Sequence, residues 1–85
     1  MEYLNSKWLS YEQPATVMGQ IILKFENGYG ASILDTDYSY GIELGIIRFN
    51  GDSWTLEGIL ETNIDSEEQM SNLLESIQSE ETVNE

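Results

Sequence analysis

The residues of this chain best suited to chemistry are its carboxylates, and their spacing sets what they can do. The run Asp35-Thr36-Asp37-Tyr38-Ser39 places oxygen ligands at alternate positions, as calcium loops begin. An EF-hand loop then needs glycine at its sixth position and glutamate at its twelfth, where this chain has Tyr40 and Ile46. The run therefore reads as a turn closed by Asx-type hydrogen bonds. Gly28-Tyr29-Gly30 lacks the third glycine, the following helix and the lysine or serine partner of a phosphate loop. Paired carboxylates hydrolyse glycosides only across a cleft, with one of them held protonated. Short turns leave little room for such a cleft. Serine and threonine are present, but no histidine activates them and no cysteine offers a thiolate. The expectation is a protein with no catalytic residues, no metal and no cofactor.

The remaining chemistry is charge. Sixteen acidic residues against three basic ones give a net −13 over 85 residues. Residues 1–50 hold six acids and all three bases, Lys7, Lys24 and Arg48; residues 51–85 hold ten acids and no base. Such a field repels phosphate backbones and anionic lipid and attracts basic protein surfaces. Direct nucleic-acid binding and membrane binding are therefore not expected. An anionic small ligand would have only Lys7, Lys24 and Arg48 to hold it. The start, MEYLNSKWLS, has neither the basic nor the apolar region of a signal peptide. The absence of cysteine suits a reducing compartment, and a cytoplasmic location is expected.

The elements that must position these charges centre on residues 19–58. Two Asn-Gly pairs, Asn27-Gly28 and Asn50-Gly51, lie between apolar or alternating runs, which predicts two β-hairpins with type I′ turns. Strands are expected at about 17–25, 29–34, 42–49 and 53–60. In the first, neither alternating set is wholly polar, so both faces should be partly covered. In the fourth, Trp54, Leu56 and Gly58 should oppose Thr55, Glu57 and Ile59. Gly30 inside a strand points to a bulge or to close approach by another backbone.

A helix follows. Asp65 reads as its N-cap with Glu68 completing a capping-box-like pair, and Met70, Leu73, Leu74 and Ile77 form one apolar stripe. Asp65, Glu68, Asn72 and Glu75 fall on the opposite, solvent side. The fold class is α+β: a four-stranded antiparallel meander with one C-terminal helix packed on a face. Residues 1–16 form an aromatic N-terminal arm, with Leu4, Trp8 and Tyr11 at the spacing of a helical turn before Pro14. The arm should pack on the sheet or on a neighbouring subunit. Residues 17–78 form a single domain, and 79–85 read as a disordered acidic tail.

The run FENGYGASI, then Ser39-Tyr40-Gly41, then ELGII and a polar link into a short helix resembles small uncharacterised proteins of tailed bacteriophages. The matching positions are Asn27 to Ser32, Ser39 to Gly41 and Glu43 to Gly45, within a likeness spanning about residues 24–78. In the link Thr62-Asn63-Ile64-Asp65, Asn63 stands where those proteins usually have proline. The resemblance implies a phage context and supplies no catalytic residues.

Two functions are compatible with these features. The first is a small acidic protein that binds a basic surface of a host protein and modulates or inhibits it, by mimicking nucleic-acid charge. The residues expected to carry this are Asp35, Asp37, Glu57, Glu61, Glu68 and Glu75, with Tyr38 and Tyr40 as aromatic anchors. The alternative is a homo-oligomeric assembly module without a host target, joined through an exposed strand edge or the aromatic arm.

Overall fold

A computed structural model of the chain describes residues 1–15 and 17–81. A 3-10 helix, Ser6–Tyr11, leads into strand β1, Glu12–Gln13, followed by β2, Gln20–Lys24, and β3, Tyr29–Asp35. Then come β4, Ile42–Asn50, β5, Ser53–Glu61, and helix α1, Glu67–Gln78. The five strands pair antiparallel in chain order, so the architecture is α+β as expected, with five strands instead of four. The added strand is β1. Glu12 and Gln13 pair with Leu23 and Ile22 and so cover the outer edge of β2. Two polar residues carry no periodic signal, so this strand exists only because the arm lies along the sheet.

β2 begins at Gln20, later than the alternation predicts. Gly19 turns the chain at φ +82°, and its carbonyl accepts a hydrogen bond from Asp35 N at 2.8 Å. Val17 and Met18 are left outside the sheet and exposed.

The hairpin tips are also not type I′, since neither Asn27 nor Asn50 has positive φ. At the first tip, Gly28 N donates to Phe25 O while Phe25 N donates to Tyr29 O, and Gly28 alone has positive φ. That is a three-residue loop built on a type I turn with a glycine bulge. At the second, Asn50 pairs with Ser53, and only Gly51, at φ +65°, is left-handed, the type II′ pattern. Asn27 serves a different end. Its Oδ1 accepts from Tyr29 N, while its Nδ2 donates to the carbonyls of Ile77, Gln78 and Glu80 at 2.9–3.2 Å. The side chain thereby adds a donor to the carbonyls at the end of α1.

One face of the sheet packs under α1. Leu23, Phe25, Ala31, Ile33 and Leu44 meet Met70, Leu74 and Ile77, and Trp8 and Ile64 close the sides of this core. The arm therefore docks on its own domain. Trp8 and Tyr11 contact Phe25 edge-on at ring distances of 5.9 and 5.1 Å, and Gln78 Nε2 donates to the Tyr11 hydroxyl. The stretch expected to be a disordered tail is held at its start, where Ser79 N and Oγ both donate to Glu75 O. Residues 82–85 of that stretch lie outside the described residues.

The N-cap of α1 is Ser66, not Asp65. Ser66 Oγ accepts from Gln69 N at 3.1 Å, and Gln69 Oε1 in return accepts from Asp65 N at 3.2 Å. The reciprocal pair is thus displaced one residue from the expected one, with glutamine in the glutamate role. Ser66→Ala should lower stability by about 1 kcal/mol and Asp65→Ala by less. Urea midpoints compared at unchanged m-value check the order, and equal effects would remove the assignment. Before the cap, Asn63 adopts φ +54° and its N–H donates to Tyr40 O at 2.8 Å. A proline at this position could do neither.

Candidate interaction surfaces

The eight residues expected to form one binding face are divided by the fold. Asp35, Asp37 and Tyr38 do come together. With Met18, Leu34 and Thr36 they line an open hollow of about 640 Å³ beside the start of β2. Tyr38 is 98% exposed, so it packs on nothing within the molecule. Tyr40 is also exposed but does not line this hollow, and its N–H donates to Glu43 Oε2 at 2.8 Å.

The loop is shaped by its hydroxyls and not by Asx bonds from the aspartates. Thr36 N donates to Ser39 Oγ at 2.9 Å, Ser39 Oγ donates to Gly41 O at 2.7 Å, and Tyr38 N donates to Thr36 Oγ1. Among the described residues, no three metal-ligating side chains converge here or elsewhere.

Glu61 and Glu68 form the second group. The end of β5 and the first turn of α1 bring them to one shallow groove of about 350 Å³, shared with Ser66, Gln69, Asn72 and Leu73. Glu57 and Glu75 are each beside a base instead. Glu57 lies 3.6 Å from Arg48, and Glu75 lies 3.8 Å from Lys7. All four side chains are about half exposed, so each pair is worth at most about 1 kcal/mol. The third base, Lys24, donates to Gly51 O and lies over the Phe49 ring. The groove of Glu61 and Glu68 is thus left uncompensated.

A larger feature was not anticipated. On the face away from α1, Ile22, Ile47 and Phe49 are buried and Trp54 packs against them. Beside them Leu56 and Ile59 are 53% and 54% exposed. Simple alternation sets Leu56 and Ile59 on opposite faces of β5. The register against β4 shifts twice, between Leu44 and Gly45 and between Ile46 and Ile47, so that Leu56 pairs with Ile47 and Ile59 with Gly45. A bulge moves every following side chain to the other face. Both side chains consequently lean over Gly45, where an added Cβ would lie 2.7 Å from Leu56 Cδ1 and 3.4 Å from Ile59 Cδ1.

The one sequence signal for this face is the mixed character of both sets in the first strand; the bulges have none. Among the described residues the surface so built offers two kinds of contact, one acidic and one apolar. Comparison of the chain with family models, curated proteins and solved structures finds no match.

Proposed function

We propose that this protein acts by binding a basic protein surface through its α1 side, as a phage-encoded modulator or inhibitor in the cytoplasm of the host cell. The observation that carries the reading is the groove at the start of α1. Glu61 and Glu68 share it, while Lys7, Lys24 and Arg48 are engaged elsewhere. Asp65 and Glu67 are exposed on the adjoining turn and add to the same field. Carboxylates fixed on a helix and a strand end present spaced negative charge without the entropy cost of ordering a loop. A protein groove that normally holds phosphates would accept such a surface. The resemblance to small phage proteins supplies the biological setting. No described helix is long and apolar enough to cross a membrane.

The test starts with capture of partners from host lysate at low salt and elution with a salt step. For a basic protein so obtained, association should slow about tenfold or more from low to physiological salt. Glu61→Gln combined with Glu68→Gln should weaken binding and flatten that salt dependence. An affinity indifferent to both salt and the double substitution would sink the reading.

A further inference from the structure

We propose that the open face of the sheet docks on the same face of a second copy, giving a two-layer β-sandwich with both α1 helices outward. The inference is independent of the acidic groove, which lies at the start of α1.

A sheet needs cover on each apolar face, and here α1 and the arm cover only one. The other face carries an apolar surface over β4 and β5, bordered on the β2 and β3 side by Gln20, Ser32 and Glu43. Leu34, Trp54, Leu56 and Ile59 line one shallow hollow on it, and Gly45 keeps its centre low. Exposed apolar patches of this kind mark contact sites.

Charge decides in favour of a second copy over an unrelated partner. The net −13 of the chain is carried almost entirely elsewhere. The β4–β5 turn adds Asp52 at the rim beside Phe49 and Trp54, and β2, β3 and β4 contribute one cation, Lys24, and one anion, Glu43. The register places them at diagonal corners. Lys24 lies in the row of Gly30 and Ile47, near the hairpin tips, whereas Glu43 lies in the row of Leu34 and Gln20 at the other end. A two-fold axis lying between the sheets and bisecting that diagonal sets Lys24 of each copy over Glu43 of the other. The face is therefore complementary to itself, as a two-fold interface requires. That axis, perpendicular to the diagonal, makes the strands of the two sheets cross steeply, the orthogonal class of sheet packing, with the sheets about 10 Å apart.

Pairing through the free edge of β5 is disfavoured by the same structure. Its two bulges break the ladder, and Glu57 and Glu61 would face like charges. Among the described residues the arm is committed to its own core. The available face measures about 20 Å by 20 Å from strand spacing and rise. Two such faces bury about 800 Å² in total, in the range of weak, transient association, so the dimer should dissociate readily on dilution.

Sedimentation equilibrium of the full chain tests this. The mass should rise with concentration from 9.7 kDa towards twice that value. Leu56→Glu and Ile59→Glu, both at exposed positions, should each raise the dissociation constant at least about tenfold, with circular dichroism confirming an intact fold. Lys24→Glu should do the same, and adding Glu43→Lys in the same chain should restore the dimer. A constant 9.7 kDa mass overturns the proposal, including the case in which these variants lose binding to a host protein instead. So does a dimer indifferent to Leu56→Glu, or a charge exchange that fails to restore association.

Discussion

Replacing Trp8 by alanine should destabilise the domain by about 3–5 kcal/mol, the range for removing a buried large aromatic. The indole is 2% exposed, stacks edge-on against Phe25, and directs Nε1–H at Ser71 Oγ 3.4 Å away on α1. It joins the arm, the sheet and the helix at one point, so its loss leaves a cavity that none of the three can fill alone. A domain of this size is held by only about 4–13 kcal/mol in total. A melting temperature lower by about 12 °C or more is therefore expected. Near-ultraviolet circular dichroism on heating reads it, at one fixed protein concentration because association would also raise stability. Leu9→Ala, two-fifths exposed on the same turn, should change stability by less than about 0.5 kcal/mol. If the two variants melt together, the arm is not part of the core.

Gly30→Ala should cost about 3 kcal/mol, at the upper end of overpacking substitutions. A Cβ at this position would fall 2.7 Å from Phe49 Cε2 and closer still to the carbonyl oxygen of Leu23. The ring can turn aside. The carbonyl belongs to β2 and retreats only if the β2–β3 ladder opens. Urea denaturation measures the loss, and amide exchange should show β2 and β3 becoming the first strands to open. Gly58→Ala makes the contrast, since nothing lies within 4 Å of its added Cβ and its φ is not left-handed. Equal costs at the two glycines would mean that the close approach at Gly30 does not exist.

Gly30 was legible in the sequence because a glycine between Tyr29 and Ala31 interrupts an otherwise apolar strand. The hairpin positions and the stripe of Met70, Leu74 and Ile77 were legible for the same reason: local pattern and tertiary need agree. The misreadings arise where a residue serves a distant partner. Asn27 looks like half of a type I′ turn, but its amide is used on carbonyls some 50 residues away. Glu12 and Gln13 pair because Trp8 anchors the arm beside β2. Asp65 and Ser66 are both good caps, and only the packing of Met70 and Leu74 fixes which begins the helix. The candidate site suffered most. Sequence order strings the candidate acids from Asp35 to Glu75, whereas the fold pairs Glu57 and Glu75 with bases and groups Glu61 with Glu68. The bulges that assemble the apolar face depend on how β5 fits β4, which no single strand encodes.

The arm also imposes an order on the making of the protein. Trp8 and Ser71, hydrogen-bonded in the finished fold, are 63 residues apart in sequence, and Tyr11 and Gln78 are 67 apart. At translation rates of about 5–20 residues per second, the arm is synthesised about 3–13 s before the helix that covers it. For that interval its aromatic rings have no partner on α1, and the sheet has nothing on its α1 face. A chain truncated before residue 67 would therefore leave both the aromatic rings of the arm and the Leu23, Ala31 and Leu44 face of the sheet without the helix that covers them.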